Sequence, residues 1–265
     1  MTTTSPAPAA AEARTVPPLP LYAAHVRALV VETLRVPIAV IGTLAFPALS
    51  LLFFVVPNRA VADDPVFATA AVASLAVFAV MVSALFNLGL TVAEAREKPW
   101  DPYLRSLPLP AAVRISAQLT ATSVFSFLAI VPVLIVGGLA TKATVSVVAL
   151  VLGLIVLALT SIPFLLLGAV IGYAVSSKAA IAVIQVVMFG FAFGGGLFLP
   201  PQLFPDWLET ISRFFPSRHA RELVLATVEG ASPEWWAVLG AVVWTLLLTA
   251  VALWLYRRDE GRRYR

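Results

Sequence analysis

Long apolar runs alternate with short polar segments along the whole chain. Six stretches contain no Asp, Glu, Lys or Arg: 36–58, 65–93, 115–141, 143–177, 179–205 and 235–256. The shortest has 22 residues, and a helix needs about 20 apolar residues to cross the hydrocarbon core of a bilayer. Lipid leaves an open strand unpaired, and the strict alternation of a membrane barrel is missing. The pattern predicts an all-α integral membrane protein with six transmembrane helices, the fifth ending near residue 200.

Prolines predict distortions within three of these spans. Pro47 and Pro132 indicate kinks in the first and third spans. The longest stretch contains Pro163, so it is either one kinked span or a span with a buried half-turn. The chain then divides into three parts: a disordered tail 1–20, a single transmembrane domain 21–256 and a basic tail 257–265.

Basic residues are divided unequally between the two sides of this bundle. The side that carries both termini holds 13 of the 18 Lys and Arg residues. Cytoplasmic loops carry the excess of positive charge in membrane proteins, so both termini are predicted to be cytoplasmic. The net charge of +4 reflects this asymmetry, and it points to anionic lipid headgroups as partners and not to nucleic acid.

The segment 21–35 has the spacing of an amphipathic helix. One face carries Tyr22, Val26, Leu29, Val30 and Thr33, and another carries His25, Glu32 and Arg35. Its charges and the following Pro37 favour a separate helix lying in the cytoplasmic interface. The alternative is that the segment simply begins the first span.

Nothing in the composition supports an active site. Apolar residues make up 60% of the chain and charged residues 12%, and there is no cysteine. The two histidines, His25 and His219, are predicted on opposite sides of the membrane, and the motifs of serine hydrolases, zinc peptidases and phosphate-binding loops do not occur. The glycine run 194–196 lacks a following lysine and belongs to a predicted span. The chain is therefore predicted to be no enzyme, with energy supplied from outside it.

The segment from Glu94 to Pro110 is short, charged and aromatic, and it is bounded and interrupted by prolines. It is predicted on the cytoplasmic side between the second and third spans. A helical turn or two lying against the membrane would present Trp100, Tyr103 and Leu104 to a partner. An ordinary interfacial loop is the alternative.

The segment from Phe193 to Leu223 is rich in glycine, proline and aromatic residues. Its glycines allow close helix packing or a break in a helix. Asp206 is predicted to cap a short helix 207–215, whose apolar stripe comprises Trp207, Leu208, Ile211, Phe214 and Phe215. A hairpin over 193–218 that re-enters the outer leaflet fits this pattern, and an aromatic belt at the outer interface is the alternative.

This outer segment resembles the signature that precedes the last span in the type-two family of ATP-binding-cassette (ABC) transporter permeases. The matching runs are GGG at 194–196, FLP at 198–200, LFPDWL at 203–208 and FPSRH at 215–219. The resemblance extends over nearly the whole chain. It implies an interfacial helix, six spans with both ends inside, a cytoplasmic coupling helix after the second span and re-entrant helices before the sixth.

On that pattern the coupling helix comprises Glu94 to Leu109, and Ser106-Leu107-Pro108-Leu109 matches its exit. The sequence departs from the family where a Gly-Thr pair is frequent, because Lys98, Pro99 and Trp100 stand there. The candidate residues for coupling to an ATPase are Glu94, Glu97, Trp100, Asp101, Tyr103, Leu104, Arg105 and Leu107. The candidate outer gate comprises Gly194, Gly195, Gly196, Phe198, Pro205, Trp207, Phe214, Phe215 and Pro216.

The resemblance implies a permease subunit of an exporter in a bacterial plasma membrane. It would pair with a second permease, identical or homologous, and with two ATPase subunits, which would bind ATP and Mg²⁺ in place of this chain. The uncharged spans indicate a hydrophobic or amphiphilic cargo. Candidate path-lining residues are Asn87, Gln118, Ser123, Ser126 and Gln185, although each could instead bond between neighbouring helices.

Two rival functions stay open at this stage. An intramembrane lipid-modifying enzyme would need carboxylates or histidines clustered at one depth, and none is visible in the sequence. A non-transporting scaffold or sensor partner would need no such cluster.

Overall fold

The computed structural model describes residues 18–35, 37–99 and 111–262, and this part of the chain contains helices and no strand. The helices are α1 Pro18–Leu34, α2 Pro37–Ser50, α3 Arg59–Ala62, α4 Pro65–Ser83, α5 Thr91–Glu97, α6 Ala111–Leu128, α7 Ile130–Ala140, α8 Val147–Ala174, α9 Ser177–Gly194, α10 Asp206–Ser212, α11 Pro216–Glu229 and α12 Trp235–Arg262. Two π-helical stretches, Leu51–Val55 and Ala84–Leu90, extend α2 and join α4 to α5.

Within the described residues, five helices are long and apolar enough to cross a membrane: Pro65–Glu97, Ser116–Ala140, Val147–Ala174, Ser177–Gly194 and Trp235–Asp259. They coincide with five of the six charge-free stretches. In the remaining stretch, 36–58, the apolar helix Ile41–Val55 is shorter than these five.

Helix α4 is the central helix of the bundle. It begins where the Asp64 carboxylate accepts hydrogen bonds from the backbone of Val66 (2.8 Å) and Phe67 (3.1 Å), with Pro65 in the first turn. Every residue from Val72 to Ser83 is buried, against α2, α6 to α9 and α11. A helix buried on all sides shows no amphipathic face, which explains its uniformly apolar sequence.

Prolines act differently in the third and fourth spans. Helix α8 runs through Pro163 without interruption. The stretch 143–177 therefore forms one span, and not a span with a buried half-turn. The third span is divided between α6 and α7 at Ala129. Pro132 lies in the first turn of α7 and cannot donate a hydrogen bond to the carbonyl of Leu128, so the break falls where the helix would have lost that bond.

Glycines bring α8 into backbone contact with the helix from α4 to α5. A Cβ on Gly172 would lie 2.6 Å from the carbonyl oxygen of Gly89 and 2.7 Å from the Cβ of Val92. A Cβ on Gly168 would lie 2.9 Å from the carbonyl oxygen of Ala84. Helices in lipid associate through van der Waals packing of this kind, because lipid tails are as apolar as the side chains.

Helix α1 is separate from α2, as its amphipathic sequence predicts. The predicted apolar face is half-buried, and the Tyr22 hydroxyl lies 2.6 Å from the Thr120 hydroxyl of α6. Glu32 and Arg35 are exposed, whereas His25 is half-buried, although it was assigned to the same face as those two. The helix begins at Pro18, three residues before the predicted start.

Candidate functional site

A cavity of about 780 Å³ lies between α1, α2, α6, α9 and the helix from α4 to α5. Sites for drug-sized ligands usually occupy roughly 300–1,000 Å³. Along the helix from α4 to α5 the lining extends from Val82 to Lys98, which corresponds to about 24 Å of helix. The π-helical stretch Ala84–Leu90 supplies Phe86, Asn87 and Leu90 to this wall, and π-helical turns are frequent at functional sites.

The structure brings three of the five predicted path-lining residues together. Asn87, Gln118 and Gln185 line the cavity from three different helices. Asn87 also donates to the hydroxyl of Ser83 on its own helix at 2.8 Å. The hydroxyl of Ser123 donates to the Leu119 carbonyl (2.8 Å), and Ser126 is buried, and neither serine lines the cavity.

The charged end of the cavity is its mouth, formed by Glu32, Glu94 and Lys98. The Lys98 ammonium lies 3.8 Å from the Glu32 carboxylate, which links α5 to α1. Both side chains are substantially exposed, so this pair adds little to stability. The pair is of interest because Lys98 belongs to the segment predicted to be the coupling helix.

Three successive residues connect the end of α5 to four other helices, and we call Arg96, Glu97 and Lys98 the α5 anchor. Arg96 donates to Asp259 of α12 through Nε (3.0 Å) and Nη2 (2.9 Å), and to the carbonyl of Gly172 in α8 (2.9 Å). Glu97 accepts from the backbone amide (2.9 Å) and hydroxyl (2.5 Å) of Ser177 at the start of α9. With the Lys98 contact to α1, the α5 anchor contacts all four of these helices.

The predicted coupling residues fall into two groups. Glu94 and Glu97 belong to the last turns of α5, so the helix extends beyond the predicted end of the second span. It stops at Lys98, which is extended (φ −68°, ψ 130°) because the following Pro99 disfavours helical backbone before it. The remaining ones lie outside the described residues: Trp100, Asp101, Tyr103, Leu104, Arg105 and Leu107.

Aromatic rings lie beyond the far end of the cavity. Phe46 lines the cavity and lies 5.6 Å from the ring of Phe78. Phe78 lies 4.7 Å from Phe198, which also contacts Phe54 (5.9 Å) and Phe193 (5.1 Å). Phe198, a predicted gate residue, therefore joins the segment after α9 to the core of the bundle, and we call these five rings the phenylalanine cluster.

Glycines let the segment after α9 turn back on itself. A Cβ on Gly194 would meet the Phe215 ring at 2.3 Å, and one on Gly195 would meet the Ser217 hydroxyl at 2.0 Å. The helix α9 ends at Gly194, and Gly196, two residues later, has φ +79°, a conformation that favours glycine. Both explanations for the glycine run, close packing and a helix break, therefore apply.

The predicted short helix is present but is placed differently. It spans Asp206–Ser212, and Asp206 is its first residue and not its cap, because Pro205 takes the extended N-cap conformation (φ −64°, ψ 152°). The helix ends early because Phe215 is held extended before Pro216, which begins α11. Trp207, Ile211 and Phe214 are 64%, 46% and 70% exposed, so this part of the apolar stripe has no cover within the described chain.

Comparison with known proteins identifies the family to which the chain belongs. The model of the ABC-2 family transporter proteins matches residues 39–256. The chain belongs to the ABC-2 family. It is also similar to the protein named "Putative transport permease YvfS" of Bacillus subtilis (strain 168), with 28% identity over 223 residues, which are 84% of this chain and 91% of the relative.

Membership of the ABC-2 family makes the chain a multi-pass permease of a bacterial plasma membrane, and a transport subunit in place of an enzyme. ABC-2 permeases work with ATPase partner subunits. The resemblance drawn from the outer signature and the topology is confirmed at this level.

The ion pairs of two acidic residues in this ABC-2 permease were not predicted from the sequence. Asp259 stands within a basic run and was counted with a cytoplasmic tail, yet it is buried in α12 against Arg96. On α11, Glu222 pairs with Arg218 (3.1 Å) and Arg221 (2.7 Å). The i,i+4 spacing of Arg218 and Glu222 was visible in the sequence, whereas the partner of Asp259 was not.

Proposed function

We propose that this ABC-2 permease is the transmembrane subunit of an ATP-driven exporter of hydrophobic or amphiphilic substrates. The observation that carries the proposal is the cavity with a charged mouth at the α5 anchor and an aromatic end at the phenylalanine cluster. Alternating access needs a binding space that can be opened at either end. Rearrangement of the contacts at the α5 anchor would open one end of the cavity, and rearrangement of the phenylalanine cluster would open the other.

The proposed topology has six spans with both termini in the cytoplasm. The first span is the helix that runs from Pro37 through the π-helical stretch to Val55, about 28 Å long and close to the roughly 30 Å of a hydrocarbon core. The distribution of basic residues supports the orientation. The mouth of the cavity then faces the cytoplasm, and α1 lies in the inner interface.

Coupling to ATP is proposed to pass through the segment from Glu94 to Pro110, which contains the α5 anchor. Two separate ATPase subunits would bind ATP and Mg²⁺, and a second permease, identical or homologous, would complete the complex. Closure of the ATPases would push on the coupling segment. The anchor would carry that displacement to α1, α8, α9 and α12, because each of its three residues holds a different neighbour.

The outer gate is proposed to comprise the segment from Gly194 to Pro216. The exposed side chains of Trp207, Ile211 and Phe214 support its placement in the outer leaflet, since three large apolar side chains within eight residues are costly in water. Its displacement would move Phe198 away from Phe78 and open the far end of the cavity.

Reconstitution tests this proposal directly. The permease is purified alone and together with an ATPase subunit encoded beside it, and both preparations are placed in liposomes. We expect the complex to hydrolyse ATP and to move a fluorescent amphiphile across the bilayer, and the permease alone to do neither. A stable complex that hydrolyses ATP but moves none of a panel of amphiphiles would contradict the proposed export.

A further inference from the structure

The cavity is graded along its length. The polar groups of its lining are the charged side chains of Glu32, Glu94 and Lys98, which we call the mouth, and the amides of Asn87, Gln118 and Gln185. Four phenylalanines line the remainder: Phe46, Phe86, Phe125 and Phe189, from α2, the π-helical stretch, α6 and α9. A ligand that fills it must therefore be polar at one end and apolar at the other.

The mouth has an excess of negative charge among the described residues. Lys98 pairs with Glu32 at 3.8 Å, whereas Glu94 has no ion pair in the described part of the chain. The lining described thus holds two carboxylates and one ammonium group. Because the chain as a whole carries a net charge of +4, this local sign is opposite to the overall one.

The other polar and aromatic groups of the lining favour the same sign of ligand. Phenylalanine faces attract cations held within about 6 Å of the ring, and side-chain amides can turn a carbonyl oxygen towards a positive charge. Glu94 and Phe86 are eight positions apart on one helix, a separation of roughly 12 Å along the axis. A medium-sized amphiphile can therefore contact both.

We propose that the cavity selects cationic amphiphiles, with the positive group on the Glu94 side and the apolar body among Phe46, Phe86, Phe125 and Phe189. This names the substrate class of the proposed exporter and so rests on that function. Because Lys98 pairs with Glu32, the unpaired charge of the described lining is the Glu94 carboxylate, which would repel an anionic group beside it.

Two ions of nearly the same size and shape test the proposal: tetraphenylphosphonium, a cation, and tetraphenylborate, an anion. Binding is measured by equilibrium dialysis of the detergent-purified permease against matched protein-free micelles. We expect tetraphenylphosphonium to bind at least tenfold more tightly after micelle binding is subtracted. Raising the salt concentration should weaken the cation's binding, because the Glu94 carboxylate is exposed to screening.

Variants assign the selectivity to this cavity. Glu94→Gln should weaken binding of the cation about two- to fivefold, as for one exposed charge pair, and should not weaken binding of the anion. Phe86→Ala should weaken both ions, because it removes apolar contact area without changing charge. Glu234→Gln is the matched control, since Glu234 is an exposed carboxylate outside the cavity lining, and it should change neither.

The outcomes separate this inference from the proposed function. Equal affinity for the two ions, or a cation affinity that Glu94→Gln leaves intact, overturns the cation selectivity. Dialysis needs no ATPase, so cation-selective binding with no ATP-driven transport of that cation would overturn the export and leave the selectivity of the cavity standing.

Discussion

Arg96 and Asp259 are 163 positions apart in the sequence, and their side chains meet at 2.9 Å between Nη2 and Oδ1. The Asp259 side chain is only 8% exposed, and Arg96 also donates to the carbonyl of Gly172. The last span is thereby tied to the end of α5 and to α8. A carboxylate buried at this depth would be costly without the guanidinium beside it.

Removing Asp259 is therefore expected to take a buried carboxylate away from the partly buried guanidinium of Arg96. Asp259→Ala should lower the free energy of unfolding by about 3 kcal/mol, the lower end of the range for breaking a buried pair, because Arg96 keeps some contact with solvent. Thermal unfolding in detergent measures the effect. Arg257→Ala, an exposed change on the same helix, is the control and should stay within about 0.5 kcal/mol; equal effects would argue against the pair.

Glycine packing between α8 and the helix from α4 to α5 gives a second expectation. Gly172→Ala places a methyl group 2.6 Å from a backbone oxygen that cannot rotate away, and such overpacking costs about 1–3 kcal/mol. Gly190→Ala is the matched change, because a Cβ there meets nothing within 4 Å. It should be neutral or should stabilise α9 by up to about 1 kcal/mol. If both variants unfold at the same temperature, the close packing of α8 against the helix from α4 to α5 is contradicted.

The proposed topology can be checked with fusions at the ends of the chain. A reporter active only in the cytoplasm should work at Arg265, and one active only outside should work near Ala231, after α11. The expectation follows from the 13 basic residues on one side. An external C-terminal reporter would rule out six spans with both ends inside.

The outer segment is open to cysteine labelling, because the chain has no cysteine of its own. Single cysteines at Trp207, Ile211 and Phe214 should be protected in whole cells from a membrane-impermeant thiol reagent, and one at Lys142 should react as the exposed control. All three side chains are exposed in the folded chain, so protection can come only from lipid or a partner subunit. Rapid labelling at all of them would show an ordinary solvated loop.

The coupling segment is expected to hold the ATPase through its aromatic residues. A Trp100→Ala, Tyr103→Ala double variant should lose association with the ATPase while still inserting, because one lost aromatic anchor commonly costs about 2 kcal/mol or more at an interface. Co-purification and ATP turnover measure the effect. Unchanged association and turnover would remove this segment from the coupling role.

Much of the fold could be predicted from the sequence, because lipid imposes a simple rule on it. Charge-free stretches of sufficient length must be helical, so five spans followed directly. The separate α1 followed from its amphipathic spacing and from Pro37 after it. Boundaries were less accurate where a helix continues into polar residues: α5 runs to Glu97 and α12 to Arg262, since neither sequence contains a break. The π-helical stretches left no signal in the apolar pattern.

The site was predictable where residue chemistry conflicted with the surrounding lipid. Asn87, Gln118 and Gln185 stood out as amides in apolar helices, and they do share a cavity. Ser123 does not line it, because a serine can satisfy its hydroxyl on its own helix, here on the Leu119 carbonyl, and so need not face a polar space. Ser126 does not line it either, and its buried hydroxyl has no hydrogen-bond partner among the described residues. The Arg96–Asp259 pair depends on how the first half of the chain packs against the last helix. Two residues so far apart in the sequence leave no local pattern that would predict their contact.

The contact at Gly89, Gly168 and Gly172 determines which parts of the cavity can move. Backbones this close leave no room for either helix to slide past the other, since a shift of one residue would place a side chain on a carbonyl oxygen. The helix from α4 to α5 and α8 therefore behave as a single rigid body. The wall of the cavity that carries Phe86 and Asn87 is then fixed relative to α8, and we expect a change in the width of the cavity to come from movement of that body against the opposite wall of α1, α2, α6 and α9.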